Sequence, residues 1–205
     1  MKPTINISVK SLVEFTLRSG SLEVSVESIP DPVRAIRVHQ KIQNSRKVDF
    51  YQSEISLNHL VEGDDFNLKI RGRVDGLYTT ENGVIIEEIK TTLDKPEFAA
   101  SKNNVLHWGQ VKVYALIYML LNRLTCITIR LCYCHLETLE EFQVDKVIEI
   151  EALQSFFALI VNRYLKWMSI VNCHRIKRNH SAKALQFSFK TYRPGQREMA
   201  VRVYH

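Results

Sequence analysis

Arg71-Gly72-Arg73-Val74-Asp75-Gly76-Leu77, followed after a short polar turn by Val84-Ile85-Ile86-Glu87-Glu88-Ile89-Lys90-Thr91, is the stretch that decides the fold. Both segments have strand character, and Asn82-Gly83 between them is a hairpin signal because both residue types tolerate positive φ. With Asn82-Gly83 as a two-residue loop, Asp75 lies opposite Lys90, and Glu88 opposes Leu77 on the diagonal from Asp75. All three polar groups then share one sheet face. Two carboxylates and an ammonium converging on one face are costly unless something uses them. A hard divalent cation does. Mg²⁺ or Mn²⁺ takes carboxylate oxygens and leaves positions open for water and a phosphate oxygen. Asp75 and Glu88 would then hold the cation, while Lys90 orients or deprotonates the attacking water or neutralises charge on the phosphorus. An ordinary hairpin with solvated charges carries the same local pattern, so the rest of the chain has to decide.

The 205 residues suit one domain, or one domain with an appendage. A net charge of +6 and a pI near 9.1 favour a polyanionic partner. Cys126, Cys132 and Cys134 fall on one parity of an expected strand, which predicts buried thiols in a reducing, cytoplasmic compartment. No CxxC pair and no signal-peptide pattern accompanies them or Cys173, so a zinc or iron–sulfur site is not expected. The longest apolar stretch, Val113 to Leu121, is too short to span a membrane.

The spacing predicts a first helix capped by Ser8 or Ser11, with Leu12, Phe15 and Leu17 apolar. Asp31-Pro32 opens a second helix through about Arg46. Strands are expected over Tyr51–Val61, Asn67–Thr79 and Val84–Thr91, forming an antiparallel meander. A loop containing Pro96 then leads to a helix at about Leu106–Leu121. Strands over Thr125–His135 and Glu141–Ile150 precede an amphipathic helix over Ala152–Val171. This is an α/β layered domain with helices covering a central sheet.

Three further features bear on the hairpin. His39 lies on the second helix, where a lone histidine is commonly solvent-facing but can also complete a metal shell through nitrogen. Gln110 and Tyr114 are four apart and project from one helix face, a spacing also met in ordinary packing. Arg71 and Arg73 share the strand face of Asp75, as phosphate contacts or as a solvated edge.

In this order, helical His39, Gly72-Arg73-Val74-Asp75-Gly76, Ile86-Glu87-Glu88-Ile89-Lys90-Thr91 and Gln110-x-x-x-Tyr114 resemble the RecB-like branch of the PD-(D/E)XK nuclease superfamily. The resemblance covers about Val38 to Tyr114 and implies a restriction-endonuclease-like core, a central mixed sheet flanked by helices. It implies His39, Asp75, Glu88 and the Ile89 carbonyl as metal ligands, with Lys90 the catalytic lysine. Gln110 and Tyr114 match an element that contacts DNA or supports the site. Glu88 stands where the family often has Asp, and Glu87 points to the opposite face. Some relatives carry an iron–sulfur cluster on a C-terminal cysteine group whose spacing is missing here, so none is expected.

A second resemblance lies in the tail. Phe187 to Ala200, including Tyr192-Arg193-Pro194-Gly195-Gln196, looks like the opening of DinG/XPD-like superfamily 2 helicases, where the Arg-x-x-Gln stretch precedes the ATP-binding domain. Pro194 is expected to start a helix that runs to His205. There is no GxxxxGK[ST] loop, so this chain does not cradle a nucleotide triphosphate in that way. Residues 1–173 are read as a nuclease domain, and 174–205 as a basic linker (His174 to His180) with the start of a helicase-like segment. The expected function is metal-dependent hydrolysis of single-stranded or branched DNA beside a helicase in cis, in DNA repair or processing. The alternative is a catalytically silent DNA-binding or docking module; a third is a basic protein-interaction domain.

Overall fold

The computed structural model describes residues 2–20, 31–46, 48–81, 83–185, 191 and 193–204. Its elements are β1 (Thr4–Ser8), α1 (Val9–Leu17), α2 (Pro32–Ser45), β2 (Tyr51–Val61), β3 (Asn67–Thr80), β4 (Gly83–Thr92), α3 (Pro96–Ser101), α4 (Val105–Asn122), β5 (Cys126–His135), β6 (Glu141–Glu149), α5 (Ile150–Ala184) and α6 (Gln196–Tyr204). The six strands form one mixed sheet, as the expected α/β architecture requires. The meander β2-β3-β4 is antiparallel, β1 joins β3 and β5 joins β4 in parallel, and β6 pairs antiparallel with β5. Two compact units are distinguished, Met1–Lys166 and Trp167–His205, the division falling within α5.

In the first unit, the main apolar core joins Leu68, Ile70, Val74 and Leu77 of β3 and Ile86 of β4 to α1, α4 and the start of α5. A smaller core on α2 joins Val38 and Ile42 to Ile89, Cys132, Cys134 and Leu136. Helix starts follow the capping residues. Ser8 Oγ accepts from the Ser11 N–H at 3.0 Å, and Asp31 accepts from the Val33 N–H at 3.0 Å ahead of Pro32.

β3 is the organising strand. β2 pairs along one edge from Leu68 to Tyr78. The other edge is shared: β1 takes Asn67 to Arg71, and β4 takes Gly76 to Thr80. Between them Gly72 to Asp75 face an opening, so the sheet forks there. β1 escapes the sequence reading because it is only five residues long and its partner lies some sixty residues away.

Several expectations need correction. Asn82 lies outside the described residues, but Gly83 already pairs with Thr80, Leu77 with Ile86 and Gly76 with Glu87. The hairpin register is therefore two residues from the expected one, and Ile86, not Glu88, faces Leu77. An even shift keeps side-chain parity on β4, so Glu88 and Lys90 remain on one face. Core-facing positions of β3 run Leu68, Ile70, Val74 and then Leu77, an odd interval that breaks strict alternation around Asp75. The β2–β3 register is the same on either side, so both strands change face together, at Asp75 and at Glu54 opposite it. Glu54 has φ +60°, a left-handed backbone that costs a non-glycine residue of order 1–3 kcal/mol.

Elsewhere Cys132 and Cys134 are buried but Cys126 is exposed at the strand's start. Phe15 is exposed, and Val13 takes the core position beside Leu12. Pro96 starts the short α3, not a loop. α5 runs past Val171 to Ala184, so the basic run His174–His180 is helical and exposed. In the second unit α6 begins at Gln196, two residues after Pro194, with the Arg193 N–H donating to Gln196 Oε1 at 3.0 Å. Phe187–Lys190, Tyr192 and His205, part of the helicase-like stretch, lie outside the described residues. Among the described residues no helix is long and apolar enough to cross a membrane.

Candidate metal centre at the sheet fork

Beyond Gly76 and Glu87 the β3–β4 ladder stops, and the Asp75 side chain replaces it. Asp75 Oδ2 accepts from the Ile89 N–H at 2.8 Å, satisfying a backbone donor that the fork leaves open. The same oxygen lies 3.1 Å from His39 Nε2. The Asp75 main-chain carbonyl accepts from Gln43 Nε2 at 2.9 Å and faces the Tyr51 hydroxyl at 3.4 Å. Asp75 is thus held through both its side chain and its main-chain carbonyl.

α2 brings His39 to this point. Val38, Ile42 and Gln43 form its buried face, and Arg46 at its end reaches Glu87 at 3.2 Å and Glu141 at 2.6 Å. Glu87 is fully buried on the α2 face of the sheet, the face opposite Glu88, and does not line the cavity. Burial raises the Glu87 carboxyl pKa, against the lowering pull of Arg46.

Glu88 and Lys90 approach from the α4 side. Lys90 Nζ donates to Glu88 Oε1 at 2.7 Å and to Gln110 Oε1 at 2.6 Å. Glu88 is 6 % exposed, and its second oxygen is buried without a hydrogen-bond partner. Burial pushes its carboxyl up to about 7; Lys90 opposes this, and the Asp75 charge adds to it. For His39 burial works against the charged form, but the Asp75 hydrogen bond and charge outweigh it and hold the imidazole above its ordinary value. Acidic groups whose protons are held this firmly, one with an orphaned oxygen, form a donor set suited to a cation.

A nitrogen of His39 and one carboxylate oxygen each of Glu54 and Asp75 lie within 4.8 Å of one another. Glu88 stands outside that group, beside Lys90. The cavity at the fork has a volume of about 640 Å³ and is lined by His39, Gln43, Glu54, Arg73, Asp75, Ile89 and Lys90, among others. His39, Asp75, Ile89 and Lys90 therefore meet as expected, while Glu54 is an addition. Nothing in Tyr51 to Leu57 announces it: Ile55 and Leu57 point inward, and Glu54 reads as a solvated neighbour.

The remaining predicted residues divide. Arg73 is exposed at the cavity and paired with Glu54. Arg71 is exposed and engaged by Asn6 of β1. Gln110 and Tyr114, expected to contact DNA or to support the site, are both buried. Gln110 holds Lys90, and Tyr114 fills the fork, with an Arg73 backbone hydrogen bond to its hydroxyl. Their side chains face the site's frame instead of solvent.

Tyr114 also explains Gly72. A Cβ there would meet the tyrosine ring, 2.9 Å from its hydroxyl oxygen and 3.0 Å from Cζ. Gly72→Ala is expected to destabilise the chain by about 1–3 kcal/mol, the usual range for overpacking. Urea unfolding measures it, and an unchanged midpoint would show that the ring can yield.

The profile of the PD-(D/E)XK nuclease superfamily matches residues 24–186. Comparison with curated proteins returned no match. Among solved structures, the crystal structure of SSO0001 is similar with a TM-score of 0.49 and 15% identity, covering 76% of this chain and 75% of that one. A phage-related exonuclease from Haemophilus somnus 129PT is similar with a TM-score of 0.36 and 11% identity, covering 80% of this chain and 82% of that one. Both likenesses are too distant to carry a conclusion about activity. The profile match extends over well more than half of the sequence and contains the whole Asp75–Lys90 hairpin with His39 and Gln110: the chain belongs to the PD-(D/E)XK nuclease superfamily.

Proposed function

We propose that this chain is a RecB-like, metal-dependent deoxyribonuclease whose centre is the sheet fork. The observation that carries the reading is the convergence on one cavity of His39, Asp75 and Lys90, the lysine held from behind by Glu88 and Gln110. His39, Asp75 and Glu88, with the Ile89 carbonyl, would hold Mg²⁺ or Mn²⁺, which supplies Lewis acidity for phosphodiester hydrolysis.

The protein's own groups do the rest. Lys90 has three donors, of which Glu88 and Gln110 engage two, leaving one for the attacking water or a phosphate oxygen. Gln110 is thereby a positioning residue for Lys90, and Tyr114 keeps the fork open at Gly72. Asp75, clamped by the Ile89 N–H, need not reorganise when a cation arrives. Arg71 and Arg73 would meet phosphates at the rim. Residues 1–173 serve as the nuclease domain, and 174–205 lead toward a helicase partner in DNA repair or processing. The silent docking alternative needs no cation.

The test is cleavage of labelled single-stranded and forked DNA with Mn²⁺ or Mg²⁺, wild type beside Asp75→Asn. Cleavage is expected to fall at least about 100-fold in the variant. Equal cleavage by both would overturn the assignment, and DNA binding with no cleavage by either would favour the docking module.

A further inference from the structure

Glu54 is the one acidic group at the fork that neither the sequence motif nor the roles above employ. It faces Asp75 across the β2–β3 ladder, at the point where both strands change face, and sits in the left-handed backbone region. Gln43 Nε2 donates to Glu54 Oε1 at 2.8 Å and to the Asp75 carbonyl at 2.9 Å, so one amide fixes both acids to α2. The other Glu54 oxygen is held by Arg73 Nε. A Glu54 oxygen lies within 4.8 Å of a His39 nitrogen and an Asp75 oxygen, and the cavity beside them is also lined by Lys90, the partner of the buried, half-unpartnered Glu88.

The geometry points to Glu54 as a further protein ligand of the same cation, with the Arg73 guanidinium as the competitor for its carboxylate. This rests on the fork being a metal centre. Three elements would then supply the set: His39 from α2, Glu54 from β2, and Asp75 with Glu88 from the β3–β4 hairpin. Two carboxylates side by side repel each other, a cation held between them offsets that repulsion, and the same ion makes Arg73 dispensable at Glu54. Arg73 is two-thirds exposed, so its guanidinium can exchange the carboxylate for a substrate phosphate at the cavity rim. Metal loading would thus release the residue that engages the backbone of the nucleic acid.

The two partners give opposite signs in one measurement. Calorimetric titration of the full chain with Mn²⁺ is run for wild type, Glu54→Gln, Arg73→Gln and Asp75→Asn. Glu54→Gln keeps an acceptor for Gln43 and is expected to weaken Mn²⁺ binding by about tenfold or more. Arg73→Gln removes the competitor and is expected to tighten Mn²⁺ binding by about two- to fivefold, the worth of an exposed ion pair. Asp75→Asn weakens binding in either case if the fork holds a cation. Unchanged affinity in both Glu54→Gln and Arg73→Gln, with loss in Asp75→Asn, would overturn the role of Glu54 and leave the centre intact. Unchanged affinity in all three would remove the centre itself. Circular dichroism in EDTA establishes that each variant is folded before titration.

Discussion

Lys90→Ala is expected to lower metal-dependent cleavage by about 10²–10⁴-fold, the range general acid–base groups contribute, while the chain still binds Mn²⁺. The lysine is held between Glu88 at 2.7 Å and Gln110 at 2.6 Å, at the wall of the fork cavity. Such a grip fixes the ammonium where a phosphate would lie, and it costs no reorganisation during reaction. Removing it leaves Glu88 buried without a cation. Its carboxyl then retains a proton more firmly, so the variant neutralises the charge and stays folded. Assays at pH 8 counter that proton. Gln110→Ala keeps the ammonium but frees it, so a smaller loss of roughly tenfold to 100-fold is expected. Quench-flow or gel assays at saturating Mn²⁺ read both effects. Full cleavage by Lys90→Ala would remove the lysine from the reaction.

This centre was legible in the sequence to the extent that it obeys periodic rules. Glu88 and Lys90 share a face by strand parity, and an error of two in the hairpin register leaves that parity untouched. Gln110 and Tyr114 share a face by helical spacing, which brings one to Lys90 and the other to Gly72. Glu54 was hidden because its role depends on a break in alternation shared by two strands, a tertiary event with no local signal. β1 was hidden by its length and its distant parallel partner. The length of α5 was misjudged for a different reason. The basic run His174–His180 reads as a linker, yet Arg and Lys are good helix formers, and neither Gly nor Pro occurs between Val171 and Ala184.

In EDTA the Glu88 and His39 contributions to stability are each expected to grow as pH falls from about 8 toward 6, while His59 and His107, whose burial lowers their pKa, oppose them. The folded-state pKa of Glu88 is raised to about 7 by burial, above its ordinary 4.5. Between those values the folded state binds the proton that the unfolded state lacks, so stability rises as pH drops through 7. His39 acts in the same direction: its folded pKa is raised, so its contribution is full below 6.5 and fades as pH climbs through the folded value. A shift of the size seen at Glu88 corresponds to roughly 1–3 kcal/mol once its coupling to Lys90 is allowed for. Glu88→Gln is therefore expected to raise the Tm at pH 8 and to remove the Glu88 part of the pH dependence, leaving that of His39 and Glu87 and the opposing part of His59 and His107. The gain is partial because Lys90 loses its carboxylate. Mn²⁺ must reverse the slope, since binding needs His39 neutral and the carboxylates ionised, so its stabilisation grows with pH. Thermal melts from pH 6 to 8, with EDTA and with Mn²⁺, separate the two. If the EDTA curve is flat and Glu88→Gln does not alter it, the buried carboxylate carries no titration penalty, and the fork is not held in readiness for a cation.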